Sequence, residues 1–211
     1  PLACVLHGID ACELLQRSTA GPVAVVVFGA GPIGLLFVAA LARAGARVIL
    51  ADPNPNRLAV GARMGAADTI EIARGGGQAE RIKARTDDGE GAEIVVDCTG
   101  IAEVWGDAIM SARTGGLVNL FGGCAPGTVV PLDTHHVHYQ ELTVKGVYHH
   151  RPDTIRRALA LLGESDFPAD ELLNGRVAIE DVAEGLQAMM DKRALKVVVS
   201  GRREAPIAGC H

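Results

Sequence analysis

Aromatic residues are scarce in this chain. Phe, Trp and Tyr together make up 3% of it, and the formal net charge is −5 with no run of Lys or Arg. A nucleic-acid partner needs a basic stripe or a base-stacking surface, so that class is excluded. Long apolar runs are also missing: the longest are strand-sized or interrupted by charge. No membrane span is therefore expected. Cysteines are few and scattered, at Cys4, Cys12, Cys98, Cys124 and Cys210, with no CxxC pair. That spacing gives no zinc knuckle. Small buried hydrophobes are the expected role of most of them. No secretory signal pattern opens the chain, so a cytoplasmic location without disulfides is expected. The chain begins on Pro1 rather than Met, which reads as a fragment, a processed product or a trimmed chain.

What is present is a globular composition: 211 residues, 48% hydrophobic and 21% charged. That is enough for one sizeable core, or one domain with appended elements. The most informative stretch is Val23 to Gly34. Apolar residues run straight into Gly29-Ala30-Gly31-Pro32-Ile33-Gly34, and an apolar helical pattern follows at once. A GxGxxG alone is weak evidence; placed between a strand and a helix it signals a dinucleotide. Gly29 permits the tight turn, Gly31 lets backbone approach the pyrophosphate, and Gly34 allows close helix packing. Pro32 suits the first helical turn, whose free N–H groups face phosphate. The alternative is a glycine-rich turn with no ligand.

The second half of the fingerprint argues against that alternative. Asp52 stands 18 residues past Gly34, at the end of the apolar run Val48-Ile49-Leu50-Ala51. A carboxylate there accepts hydrogen bonds from the adenosine ribose and repels a 2′-phosphate, which favours NAD over NADP. Arg57 is placed to contact the ribose, and would soften the bias against NADP. Asp52 also precedes a helical run, so it is a candidate N-cap as well.

Strands and helices alternate along the chain. A helix over 2–16 comes first. Strands are expected at 23–28, 47–51, 68–72, 93–97 and 116–121, with helices at 32–44, 55–64, 78–86 and 102–112. This pattern argues an α/β fold: a Rossmann doubly wound parallel sheet of six strands, order 3-2-1-4-5-6, with its ligand at the switch point over strands one and four. Residues 124–140 read as irregular, 141–148 as the sixth strand, 153–162 as a helix, 179–190 as helical and 196–199 as a last strand. The tail from Arg202 reads as disordered.

Together these segments resemble the zinc-dependent medium-chain alcohol and polyol dehydrogenases, in their sorbitol- and threonine-dehydrogenase branch. The resemblance covers nearly all of residues 1 to about 200. It rests on Pro1-Leu-Ala-Cys-Val-Leu-His7, the Gly29–Gly34 loop, Asp52…Asn56-Arg-Leu…Met64-Gly-Ala-Ala-Asp68, Asp97-Cys-Thr-Gly100, Val118-Asn-Leu-Phe-Gly-Gly123 and His138-Tyr-Gln-Glu-Leu…Lys145-Gly146.

The resemblance implies a layout: a linking helix over 1–18, an NAD-binding domain over 19–163, a returning segment of an incomplete GroES-like catalytic domain over 164–200, and a tail over 201–211. It implies that Gly29, Gly31, Pro32, Ile33 and Gly34 cradle the pyrophosphate, and that Asp52 and Arg57 hold the ribose. Cys98, Thr99 and Gly100 then lie near the adenine and its ribose. Backbone groups of Phe121, Val147 and His149 meet the nicotinamide carboxamide, and Lys196 approaches the pyrophosphate. Zinc in such enzymes polarises the substrate oxygen while hydride passes to the nicotinamide. Its ligands belong to a domain absent from this sequence, so no catalytic or metal-ligating residue is assigned. His135, His136, His138, His149 and His150 are read as non-ligating, and His7 as a packed or partly exposed histidine.

The expected function is thus the cofactor half of an oxidoreductase that moves hydride between NAD and a secondary alcohol such as a polyol or cyclitol. The small-molecule alcohol or ketone is its partner, and pairing into a homo-oligomer runs through the sixth strand. Two alternatives are a non-enzymatic dinucleotide sensor and a methyltransferase-like fold with an adenosyl cofactor. The segment 139–200 argues against the sensor. Pro32-Ile33-Gly34 and Lys145-Gly146 argue against the methyltransferase.

Overall fold

The computed structural model describes residues 1–17, 21–73 and 75–201, excluding the side chains of Leu15 and Arg17. The expected disordered tail lies outside the described residues. Two compact units make up the chain, Pro1–Phe167 and the part from Pro168 onward.

The first unit is built on six parallel strands: β1 (Ala24–Phe28), β2 (Arg47–Asp52), β3 (Asp68–Glu71), β4 (Ala92–Asp97), β5 (Ala112–Leu120) and β6 (Thr143–Gly146), in the order β3-β2-β1-β4-β5-β6. This is the doubly wound Rossmann sheet, and the order reverses between β1 and β4. Successive side chains point to opposite faces of a strand, so Val26, Phe28, Ile49, Ala51, Val95 and Val118 share one core. Their neighbours Val25, Val27, Leu50, Ile94, Val96 and Leu117 are also fully buried. Burial on both faces is what a central parallel sheet requires. Each of the Val, Leu, Ile and Phe side chains contributes about 1.5–3 kcal/mol.

Helices cover both faces. On the first, α5 (Ala79–Lys83) and α6 (Ala102–Met110) pack together, with Ile82, Val104, Ala108 and Ile109 entering the core. Four helices form a second connected set: α1 (Leu2–Ala11) meets α3 (Pro32–Arg43) and α8 (Pro152–Leu162), and α3 meets α4 (Pro55–Arg63). Asn119 Nδ2 donates to the Gly8 carbonyl at 3.0 Å, which pins α1 to β5. Asp10 of α1 accepts from both Arg151 (2.7 Å) and Arg157 (2.8 Å), which ties α1 to the start of α8. Helix α4 is capped by Asn54, whose Oδ1 accepts from the backbone N–H of Asn56 and Arg57. Asn54→Ala is expected to lower the unfolding free energy by about 1 kcal/mol, read as a lower urea midpoint with an unchanged slope.

Several elements depart from the sequence reading. The first helix breaks after Ala11, because Glu13 takes a left-handed conformation (φ 56°), and a short helix α2 (Leu14–Arg17) follows. The fifth strand starts at Ala112, ahead of Gly115 and Gly116, through a register shift opposite Ala92 and Ile94. Within 124–140 lies a six-residue helix, α7 (Thr134–Tyr139), started by the Asp133 side chain accepting from His136 N–H at 3.0 Å. The sixth strand is four residues long, shorter than its alternating pattern.

The second unit contains β7 (Leu173–Ala178) and β8 (Lys196–Ser200), paired in parallel, with α9 (Val182–Met190) between them. Strand β7 is additional to the sequence reading, because Asn174, Gly175 and Arg176 carry no apolar alternation. Among the described residues, no helix is long and apolar enough to cross a membrane.

Candidate functional site

The chain leaves β1 through Gly29, whose φ of +98° is a left-handed conformation that a side chain disfavours. Helix α3 begins directly afterwards, with Gly31 as N-cap and Pro32 in its first turn. Gly34 presses against the exit of the strand: a Cβ there would lie 1.8 Å from the Gly29 carbonyl oxygen. At Gly31 the situation is reversed, since a Cβ would meet nothing within 4 Å. The turn is therefore closed beneath Gly34 and open above Gly31, with the unpaired N–H groups of the first helical turn at the opening. Such a turn has the form of an anion cradle.

Asp52 ends β2 beside this cradle and is buried, 7% exposed. Its Oδ2 accepts from Ala30 N–H at 2.7 Å and its Oδ1 from Asn54 N–H at 2.8 Å. The carboxylate thus ties the glycine loop to the start of α4. The helix N-cap is Asn54 rather than Asp52, which corrects the second role read for Asp52. Arg57 lies in the first turn of α4, half-buried.

On the other side of the glycine loop stand Cys98, Thr99 and Gly100, after β4. Cys98 N–H donates to the Phe28 carbonyl at 2.9 Å. Burial pushes the Cys98 thiol well above its ordinary range, so it is a neutral thiol. The Thr99 methyl packs against the loop, since a Cβ on Gly29 would fall 2.9 Å from it. The Phe121 ring meets Phe37 of α3 edge-on, with centroids 4.9 Å apart. The tertiary structure thus brings Gly29–Gly34, Asp52, Cys98–Gly100 and Phe121 to the carboxyl ends of β1, β2, β4 and β5.

Val147 and His149 follow β6. His149 is left-handed (φ 67°), and its carbonyl accepts from His7 Nδ1–H at 3.1 Å. The carbonyl can only accept, so that contact fixes the proton of a neutral His7 on Nδ1. The rings of His135 and His138 contact Tyr139, the second edge-on, and His149 contacts His150. Lys196 opens β8, in the second unit. Among the described residues no group of three or more His, Cys, Asp or Glu side chains converges as a metal site. The donor set of the described residues does not fit a zinc ion.

Asp97 was visible in the sequence only as part of a motif. It is fully buried, and its carboxylate accepts from Thr99 N–H, Thr99 Oγ1–H, Gly100 N–H and Trp105 Nε1–H. Burial pushes its carboxyl up, against the pull of these donors. An acid with N–H partners two and three residues on is the Asx-turn signature, so the spacing in Asp97-Cys-Thr-Gly100 held a readable signal.

The family model for zinc-binding dehydrogenases matches residues 32–164. Among curated proteins, L-threonine 3-dehydrogenase of Burkholderia thailandensis is 29% identical over 177 residues, which cover 83% of this chain and 50% of that protein. Among solved structures, 2R,3R-butanediol dehydrogenase from Bacillus subtilis superposes with a TM-score of 0.80 and 26% identity, over 96% of this chain and 56% of that one. An NADP-bound protein from Sinorhizobium meliloti, described as a zinc-binding dehydrogenase, gives a TM-score of 0.84 and 27% identity, over 94% of this chain and 57% of that one. The chain spans about half the length of the curated relatives it matches.

Proposed function

We propose, since this chain belongs to the zinc-binding dehydrogenase family, that it is the dinucleotide-binding portion of an NAD-dependent enzyme oxidising a secondary alcohol. The observation that carries the reading is the pairing of an open space above Gly31 with a buried carboxylate at Asp52, joined through Ala30 N–H. The pyrophosphate would lie at the start of α3, along Gly31, Pro32 and Ile33, with Gly29 and Gly34 shaping the turn beneath. Asp52, with Arg57 beside it, would take the adenosine ribose, and Cys98, Thr99 and Gly100 would face the adenine side. The backbone of Phe121, Val147 and His149 would meet the nicotinamide carboxamide. Bound NAD supplies the hydride acceptor. Zinc, with the residues that bind the alcohol, would come from a part of the enzyme outside this chain, and residues 164–200 would complete that catalytic domain.

The sensor alternative gains no support from β7, α9 and β8, which extend beyond a self-sufficient six-stranded sheet. Among the described residues β6 is an edge of the sheet, beside β5 alone, and a second copy joining at Thr143–Gly146 would give a homo-oligomer. The free thiols of Cys4, Cys98 and Cys124 suit the cytoplasm.

Calorimetric titration of this chain with NADH tests the reading. Saturable binding, competed by NAD and weaker for NADPH, is the expected result. Absence of binding overturns it. With zinc and a panel of polyols the chain alone is expected to form no NADH; measurable turnover would remove the assignment of the chemistry to a missing domain.

A further inference from the structure

We propose that Asp97 is a positioning residue for the dinucleotide: its carboxylate fixes the loop after β4 and the Trp105 indole, its main-chain carbonyl holds the loop after β5, and Trp105 cross-links the two. The proposal rests on the NAD-binding reading above and adds a residue that contacts no cofactor itself.

The bracket is built from both ends of Asp97. Its Oδ1 accepts from Thr99 N–H (3.1 Å) and Thr99 Oγ1–H (2.6 Å), and its Oδ2 from Gly100 N–H (3.0 Å) and Trp105 Nε1–H (3.1 Å). Its backbone carbonyl accepts from Phe121 N–H (3.1 Å) and Gly122 N–H (2.8 Å). The same indole N–H is shared with the Gly122 carbonyl at 3.0 Å, so Trp105 spans the two loops. Nothing can be inserted between them: a Cβ on Gly122 would lie 2.4 Å from Gly100 N and 2.8 Å from Asp97 Oδ2. One on Gly100 would lie 2.4 Å from the Gly123 carbonyl oxygen. Through the Thr99 methyl, the bracket also rests against Gly29 of the phosphate cradle.

Two features mark this as more than turn closure. All four donors to the Asp97 carboxylate, two backbone N–H groups and the side chains of Thr99 and Trp105, are uncharged. A buried carboxylate without a counter-charge carries a desolvation cost that a neutral turn residue avoids. What the carboxylate alone provides is four-fold acceptance at one point. An asparagine offers a single acceptor oxygen, and its amide N–H₂ must face either the Thr99 pair or the Gly100–Trp105 pair. Asp97→Asn therefore frees either Thr99, or Gly100 and the Trp105 indole, and so loosens the loop after β4 or its cross-link to Gly122.

The test compares NADH titrations of the wild-type chain, D97N, W105F and I82A. Ile82 is fully buried in α5, and its truncation lowers stability without touching either loop. All are titrated at a temperature where circular dichroism shows each to be fully folded. A residue that only stabilises the fold leaves the Kd unchanged under those conditions. D97N is expected to bind NADH at least about tenfold more weakly, the loss of charge-assisted hydrogen bonds. W105F should bind more weakly by a smaller factor, and I82A should stay within about twofold of wild type despite a lower Tm. A wild-type chain that binds NADH together with a D97N Kd within that twofold range overturns the proposal alone. A wild-type chain that does not bind overturns the NAD reading and this inference with it. Should D97N not fold, W105F decides, and unchanged affinity there overturns the proposal.

Discussion

Gly34→Ala is expected to leave the protein unfolded or nearly so, whereas Gly31→Ala, three residues earlier, is expected to leave its stability unchanged. The contrast follows from the space at each position. A Cβ on Gly34 would lie 1.8 Å from the Gly29 carbonyl oxygen and 3.0 Å from the Gly29 carbonyl carbon. Both are backbone, so no side chain can swing aside. Relief requires α3 to move off the end of β1, and α3 carries Leu35, Phe37, Val38 and Leu41, all fully buried. Overpacking costs about 1–3 kcal/mol where neighbours can shift; here the cost should exceed about 4 kcal/mol. Against a total stability of about 5–15 kcal/mol, a loss above that floor removes most of the stability at the low end of the range.

At Gly31 the backbone conformation suits any residue (φ −76°, ψ 176°), and a Cβ would project into open space. That space is where the pyrophosphate is proposed to lie. Gly31→Ala should therefore melt within a degree or two of wild type yet lose NADH affinity by about tenfold or more. Thermal melts and calorimetric titrations of the two variants check both statements. Unchanged NADH binding by a folded Gly31→Ala protein would remove the pyrophosphate from this turn.

Asp52→Asn is expected to collapse the preference for NADH over NADPH. One amide cannot replace a carboxylate whose two oxygens serve Ala30 N–H and Asn54 N–H at 2.7 and 2.8 Å while further lone pairs stay available for the proposed ribose. NADH loses charge-assisted hydrogen bonds worth about 1.5–3 kcal/mol, or roughly one to two orders of magnitude in Kd. NADPH loses less, because removal of the carboxylate also removes its repulsion of the 2′-phosphate. Arg57, in the first turn of α4, then has no competing acid next to the phosphate. The ratio of the two dissociation constants, measured on one preparation, reads the effect. A ratio equal to that of the wild type would mean that Asp52 acts only as a tie between the glycine loop and α4.

Much of the fold was legible because its signals are local and repeat. The central strands do not alternate apolar with polar; they are short apolar runs rich in β-branched residues, such as Val25-Val26-Val27-Phe28, the pattern of a sheet covered on both faces. Gly45 and Gly65 end the helices between them, both with positive φ. Where those signals fade, so does the legibility. Strand β7 has exposed polar residues through Asn174 and Arg176, and α7 is six residues of Thr, His, Val and Tyr whose only start signal is Asp133.

The sequence by itself determined the alternation of strands and helices, the glycine turn and the acid at the end of β2. Each depends on a residue's own backbone preference or on apolar spacing along a single element. The tertiary structure decided which of these residues meet. Asp52 reaches Ala30 across 22 positions because β2 lies beside β1, and Asp97 brackets Gly122 because β5 lies beside β4. Those contacts follow from strand order. Strand order is set by which apolar faces can be buried together, a property of the whole chain and of no segment within it.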